Sequence, residues 1–207
     1  MQYLTDNMWF PDVSKATEDG LLAVGGDLSI ERLLLAYRKG VFPWFEVEEP
    51  ILWWSPDPRF VLFPEKLKVS KSMRQVLRNK NYIITVNKAF RDVIAECSEI
   101  KRPGQTSTWI TNNMIDAYTE LHELGYAKSI EVWKDDTLVG GLYGVDLGNG
   151  VFCGESMFAK ASNASKVGLI TFIKNTNYKL IDCQIYTNHL ESLGAEEIPR
   201  DVFLRYL

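Results

Sequence analysis

Residues 40–59, GVFPWFEVEEPILWWSPDPR, pack five aromatic side chains, three of them tryptophan, together with four prolines into twenty positions. Such a stretch is too rigid and too apolar to be an ordinary connector. Proline fixes the backbone, and tryptophan supplies a large contact area with few rotatable bonds. Two readings fit the block. It is a surface presented to flat partners, on which bases or cations stack, or it is a small hydrophobic core of its own.

The whole chain, 207 residues with 46% hydrophobic and 24% charged side chains, has the composition of a globular protein and the length of one large domain or a small domain joined to a larger one. No apolar run approaches the roughly 18 residues that span a bilayer, and the start MQYLTDNMWFPD has neither a basic n-region nor an apolar h-region. The expectation is a cytoplasmic protein with no membrane partner. Cys97, Cys153 and Cys183 are scattered and odd in number, and His122 and His189 are the two histidines, which argues against a disulfide framework and against a zinc site.

The net charge of −4 hides a segregation. Between residues 66 and 91 there are eight basic side chains and no acidic one, Lys80 and Lys88 among them, so the rest of the chain carries fifteen basic against twenty-seven acidic residues. Lys71, Arg74 and Arg78 recur at i, i+3 and i+7 of a helix-like segment, 70–79, and share one face. That face tracks phosphates or is simply solvated.

The first sixty residues read as compact and loop-rich, with turns at Phe10-Pro11 and 17–20. Ser29 caps a short helix, 30–39, that carries Glu31 at its positive end, Arg38 and Lys39 at its negative end, and Gly40 as its stop. After Pro64 longer elements alternate, which predicts a domain boundary near Phe63: a small N-terminal domain, 1–63, and a larger one, 64–207. The pattern gives helix 70–79, strand 82–86, helix 88–98, a polar loop 99–107 and helix 112–124. Strands 127–134 and 137–145 follow, joined by a hairpin turn at Asp135-Asp136, then strand 150–155, helix 164–175, a buried strand 180–185 and helix 189–193. This order is that of an α+β, acetyltransferase-like (GNAT-like) sheet domain. An acetyl-CoA enzyme places a [QR]-x-x-G-x-[GA] loop before the helix after the central strand, where backbone N–H groups bind pyrophosphate. Here that place reads SNASKVG, 162–168, with no match, so acetyl-CoA transfer stands as the second reading.

Chemistry concentrates in LIDCQI, 180–185. Asp182 and Gln184 stand two residues apart, hence on one face of an otherwise apolar strand. A carboxylate there is tied into a hydrogen-bond network or poised for catalysis. Glu155, at the end of strand 150–155 in FCGESMF, is a second acid after an apolar run, or else a cap or loop salt bridge. Cys183 alternates with Asp182 and points to the core; His122 falls on a polar helix face and is solvated; His189 has a structural role near Asp182.

Taken together, GLLAVGGDLS (20–29), RLLLAYRKGVFPWF (32–45), ILWWSPDPR (51–59), STWIT (107–111), AYTELHELGYAKSIEVWKDDTLVGGLYGV (117–145), FCGESMF (152–158), ASK (164–166), LIDCQ (180–184) and SLGAEEIPR (192–200) resemble the bacterial leucyl/phenylalanyl-tRNA-protein transferases over nearly the whole chain. The resemblance implies transfer of leucine or phenylalanine, less readily methionine, from leucyl-tRNA or phenylalanyl-tRNA to the α-amino group of proteins that begin with arginine or lysine. The product is marked for degradation by the N-degron pathway. It also implies a small N-terminal domain and an acetyltransferase-like domain that has lost acetyl-CoA binding. No cofactor is expected, since an aminoacyl ester is already activated and needs neither ATP nor a metal; DNA is not an expected partner.

Carried over residue by residue, the resemblance puts Trp44 and Trp109 at the aminoacyl-adenosine end of the tRNA, where an aromatic ring stacks on the terminal adenine. Met157, Phe158 and Ser165 match the pocket for an unbranched or γ-branched side chain. Asp182 and Gln184 match the catalytic pair and Glu155 the acid beside them. For the mechanism, either Asp182 with Gln184 orients the acceptor amine and removes its proton, or Asp182 orients Gln184 or binds the cationic amine while the terminal ribose hydroxyl relays the proton. Glu155 is the expected carboxylate opposite the acceptor's cationic side chain. Lys71, Arg74 and Arg78 are expected at the acceptor stem, an extrapolation from the family's basic character there. A non-enzymatic RNA-binding module also accounts for tryptophans beside a basic patch, yet gives no reason for Asp182 and Gln184 within an apolar strand.

Overall fold

The computed structural model describes residues 2–79, 81–100 and 108–207. Lys80 and most of the expected 99–107 loop lie outside them, as does Ser107 of STWIT.

Two sheets organise the described chain. In the first, β1 (Gln2–Leu4), β2 (Leu21–Gly25), β3 (Phe42–Pro43) and β4 (Leu52–Trp54) lie in the order β1-β2-β4-β3, with helix α1 (Ile30–Arg38) between β2 and β3 in the chain. The N-terminal part is therefore sheet-built, not merely loop-rich; its strands are two to five residues long, too short to show an alternating pattern. The aromatic block resolves both ways. Phe42, Phe45 and Trp53 are buried, while Trp44 and Trp54 stay half-buried. Indole N–H groups pin the strands, Trp53 Nε1 donating to the Gly25 carbonyl at 2.8 Å and Trp54 Nε1 to that of Trp44 at 2.7 Å.

The second sheet has seven strands. They are β5 (Arg59–Leu62), β6 (Ile83–Val86), β7 (Ala127–Lys134), β8 (Thr137–Asp146), β9 (Val151–Ala159), β10 (Leu180–Gln184) and β11 (Glu196–Ile198), in the order β11-β5-β10-β9-β8-β7-β6. All neighbours are antiparallel except β9 and β10. An antiparallel sheet interrupted by one parallel pair is the acetyltransferase-like α+β arrangement that the element order predicts. Strand β5, on the N-terminal side of the expected division, hydrogen-bonds within this sheet to β10 and β11.

Alternation along the strands sends side chains to two cores. Tyr143, Val145 and Cys153 face one cluster, with helices α3 (Phe90–Glu99) and α4 (Asn112–Glu123) and with Leu33, Tyr37 and Trp53 of the N-terminal segment. Leu142 and Phe152 face the other, with α5 (Ala164–Lys174) and Met73 of α2 (Lys71–Arg78). At the expected hairpin, Asp135 and Asp136 both have positive φ, 49° and 59°, the backbone of a tight type I′ turn. No helix among the described residues is long and apolar enough to cross a membrane.

The starts of two helices differ. Ser70, read from the sequence as part of the helix, caps α2 by accepting from the Met73 N–H. Ser29 occupies the cap position of α1 without making the side-chain bond; Asp27 just before it accepts from the Ser29 N–H at 2.9 Å and from the Arg32 guanidinium at 3.2 Å. His122 is likewise not a solvated side chain. Its ring stacks on Phe90 at 4.4 Å and its Nδ1 lies 2.8 Å from the Ala127 carbonyl.

Candidate active site

Strands β9 and β10 pair in register only as far as Cys153 and Asp182. Just beyond, each loses its regular ladder. On β9 the partners step from Gly154 to Ser156 against Gly144 and Tyr143, leaving Glu155 as the extra residue; on β10 they step from Asp182 to Gln184 against Val61 and Phe60, leaving Cys183. A bulge bends its strand and re-aims the side chains around it. The first one requires glycine: a Cβ on Gly144 would stand 2.2 Å from the Cys153 carbonyl oxygen. The second puts Gln184 at φ +64°, a left-handed conformation uncommon outside glycine. Two neighbouring strands thus splay apart, and the gap between them opens the site. Strand β9 also runs on to Ala159, so Glu155 lies within it and not at its end, as expected from the apolar run.

Across the bulge, Asp182 and Gln184 engage different partners. Asp182, fully buried, turns to Arg59 on β5, whose Nε donates to Oδ1 at 2.8 Å and Nη2 to Oδ2 at 2.7 Å. The Gln184 backbone N–H also donates to Asp182 Oδ1, at 2.9 Å. The Gln184 side chain bridges the gap, Nε2 donating to Glu155 Oε1 at 2.8 Å. Beyond Glu155 stand Tyr118, donating to Oε2 at 3.4 Å, and Tyr37, whose hydroxyl meets that of Tyr118. One polar line therefore runs Arg59, Asp182, Gln184, Glu155, Tyr118, Tyr37 through an otherwise apolar interior.

Burial dominates the electrostatics of this line. It pushes Glu155 up to about 8, with the Asp182 charge adding to the rise and the hydrogen bonds from Tyr37 and Gln184 and the Arg59 charge opposing it. Burial, reinforced by Glu155, holds the Tyr37 and Tyr118 phenols well above their ordinary range. For Arg59, burial favours the neutral form, yet the Asp182 charge and hydrogen bonds outweigh it and the guanidinium is held more firmly protonated.

A cavity of about 580 Å³ lies in the gap. Trp44, Trp109, Met157, Phe158 and Ser165 all line it, as do Glu155, Asp182 and Gln184, so residues from five separate stretches of sequence meet there. Ser165 comes from the first turn of α5 and Trp109 from the segment before α4. Cys183 is half-buried and forms part of the wall, and burial raises its thiol's pKa. His189 also lines the cavity; its Nε2 is buried without a partner among the described residues, and burial, with Lys166 nearby, lowers its pKa. Lys71, Arg74 and Arg78 stay apart, exposed on α2, with no salt-bridge partner among the described residues.

Sequence reasoning missed Arg59, Tyr37 and Tyr118. Arg59 had a signal of the same kind that marked Asp182, a charged residue opening the apolar run FVLF. The tyrosines had none, since each sits at an ordinary amphipathic position of its helix.

A split sheet in which an amide and a carboxyl face each other across an apolar, tryptophan-walled slot defines an enzyme of the acyl-transferring class. Residues 61–207 match the family described as leucyl/phenylalanyl-tRNA protein transferase, and residues 26–57 match that family's N-terminal domain. The leucyl/phenylalanyl-tRNA–protein transferase of Flavobacterium johnsoniae is 59% identical over 210 residues, covering 100% of this chain and 99% of its own. That of Syntrophus aciditrophicus is 59% identical over 197 residues, covering 94% and 82%. The chain belongs to the leucyl/phenylalanyl-tRNA–protein transferase family. A solved GCN5-related N-acetyltransferase from Kribbella flavida aligns over 79% of this chain and 59% of its own at 10% identity and a TM-score of 0.38, too distant to carry the fold assignment, which rests on strand order.

Proposed function

We propose that this enzyme moves leucine or phenylalanine, and less readily methionine, from aminoacyl-tRNA to the α-amino group of proteins beginning with arginine or lysine, marking them for N-degron degradation. The observation that carries the reading is the Gln184–Glu155 bridge beside an apolar slot. The amino acid side chain fills the slot between Met157, Phe158 and Ser165, and the terminal adenosine stacks against Trp44 and Trp109. A methylene is worth about 1 to 3 kcal/mol in such a slot, so leucine, phenylalanine and methionine are all tolerated while β-branched side chains clash.

In the transfer, the acceptor nitrogen forms a bond to the ester carbonyl carbon, the bond from that carbon to the ribose oxygen breaks, and a proton passes from the amine to the departing oxygen. Positioning supplies most of the acceleration. Of the two roles open to Asp182, its contacts favour orientation: both oxygens are taken by the Arg59 fork, and one also accepts from Gln184. Gln184, with its amide N–H turned to Glu155, presents its carbonyl oxygen to the acceptor amine. Glu155 fits the proton path better than the acceptor-binding role expected of it. A carboxyl with its pKa near 8 is largely protonated at neutral pH and makes a poor counter-ion for arginine.

The exposed α2 face, with Lys71, Arg74 and Arg78, meets the phosphates of the acceptor stem largely without reading sequence. In this reading the N-terminal unit, 1–63, lends Trp44 to the nucleotide and residues 64–207 supply the slot and the relay, with β5 crossing between them. The setting is the cytoplasm, where aminoacyl-tRNAs are made.

The test is incubation with radiolabelled leucyl-tRNA and two peptides, one beginning with arginine and one with alanine, with ATP and metal omitted. Label on the arginine peptide alone supports the reaction and the acceptor rule; no transfer while tRNA stays bound leaves an RNA-binding module.

A further inference from the structure

We propose that Arg59 is a positioning residue of the transfer reaction, a guanidinium wedged between Phe42 and Phe203 whose fork fixes Asp182 and, through it, the bulge that aims Gln184 at Glu155. The proposal rests on the functional reading above.

Arg59 is 1% exposed and every part of it is engaged. Nε and Nη2 form the two-pronged bond to Asp182, and Nη1 donates to the Gly40 carbonyl at 3.2 Å. Its two faces are covered by rings, Phe42 with its centroid 4.8 Å from Cζ and Phe203 at 4.6 Å. Three distant segments therefore converge on one side chain: the turn from α1 into β3 at Gly40 and Phe42, β10 at Asp182 and the C-terminal helix α7 (Arg200–Leu204) at Phe203. Gly40 makes the convergence possible. It has φ +70°, and a Cβ there would stand 2.7 Å from Leu204 Cδ2 and 3.2 Å from Phe203 Cε1.

A purely structural role explains this poorly, because a well-packed apolar cluster of similar volume is often at least as stable as a buried ion pair. The fork does what such a cluster does not: it sets the rotation of the carboxylate. Asp182 Oδ1 is shared between Arg59 Nε and the Gln184 N–H, so any turn of the carboxylate takes the acceptor away from the bulge. Gln184 holds its left-handed φ only while its surroundings over-determine it. Lysine in place of Arg59 keeps the charge but presents a single flexible ammonium, which lacks the planar fork.

Three variants of the full-length chain test this: Arg59→Lys, Phe203→Leu and, as a control, Phe10→Leu, another buried ring, which packs edge-on against Trp53 at 4.9 Å. Transfer of leucine to an arginine peptide is followed at varied leucyl-tRNA, alongside thermal melting. Arg59→Lys is expected to lower kcat on the order of a hundredfold with KM for leucyl-tRNA unchanged. Phe203→Leu is expected to lower kcat about tenfold, again without a KM change. Phe10→Leu is expected to lower the melting temperature with kcat unaltered. Wild-type kcat in folded Arg59→Lys, or kcat losses in Phe203→Leu and Phe10→Leu that simply follow their melting temperatures, overturns the proposal. Where Arg59→Lys fails to fold, the phenylalanine pair decides. If the wild-type chain itself transfers nothing, the functional reading fails first and takes this proposal with it.

Discussion

The Arg59–Asp182 pair and the Lys71, Arg74, Arg78 face carry charge at opposite extremes of burial. The pair is sealed between two aromatic rings, and the worth of each partner depends on the other being present and correctly turned. The α2 face is open to water, which screens its charges, so that any one of them contributes little to folding. Only a polyanion gathers them into a large effect, by releasing its counter-ions. Inside the sheet, charge acts through geometry; on the helix, through number and ionic strength.

The largest expected effect comes from leaving one buried charge without its partner. Asp182→Ala strands Arg59 in an apolar interior and is expected to cost about 3 to 5 kcal/mol of stability and to abolish transfer, while aminoacyl-tRNA binding persists in the fraction that stays folded. Urea unfolding beside a binding assay checks it, and a variant as stable as the parent would collapse the contrast between the two regions.

Glu155 sharpens the buried side further, through pH. Its folded pKa of about 8 lies above the ordinary value of 4.5. Below pH 4.5 both folded and unfolded chains hold the proton and no penalty applies. Between the two values the unfolded chain releases it while the folded chain keeps it, so stability falls as pH rises and levels off above 8. Given that Glu155 is only half-buried, the loss across this window is roughly 2 to 4 kcal/mol. The groups around it are Tyr37 on α1, Tyr118 on α4, Gln184 and Asp182 on β10, and Arg59 on β5. Denaturation series at pH 5 and pH 8 are expected to show the drop in the parent and to lose it in Glu155→Gln. The same variant is expected to transfer slowly yet keep the preference for arginine; loss of that preference would restore Glu155 as the acceptor's counter-ion.

Trp109→Ala tests the cavity wall, which stands between the two extremes. Removing one stacking platform is expected to weaken aminoacyl-adenosine binding by about 1 to 3 kcal/mol, measurable by titration with the 3′-terminal fragment. The smallest effect on the fold belongs to the surface. Replacing Arg74 and Arg78 by alanine is expected to change stability by less than about 0.5 kcal/mol and to reduce the slope of log affinity against log salt by roughly 1.4 to 1.8. An unchanged slope would mean that the α2 face is merely solvated.

Legibility in the sequence followed pattern length for most elements, although β6 and β10, of four and five residues, were also read. Helices α3, α4 and α5 and the β7–β8 hairpin emerged from periodicity and from the Asp135-Asp136 turn, because each repeats its pattern over eight or more residues or ends in a diagnostic turn. Strands β1, β2, β3, β4, β5 and β11, of two to five residues, did not. Strand β9 was cut short because the bulge at Glu155 interrupts its alternation. At the site, Asp182, Gln184 and Glu155 stood out as polar residues in apolar surroundings. Trp44, Trp109, Met157, Phe158 and Ser165 entered through the family resemblance, and the cavity brings all of them together.

By itself, then, the sequence determined the α+β order of elements, the family, the polar residues in the central strands and the basic face of α2, because these depend on neighbours within a few positions along the chain. Only the tertiary structure decided that Asp182 belongs to Arg59, 123 residues away, that Gln184 belongs to Glu155, and that Glu155 carries a raised pKa. Those facts depend on burial and on which strands lie side by side, and two bulged strands that part at Asp182 leave no mark in local composition.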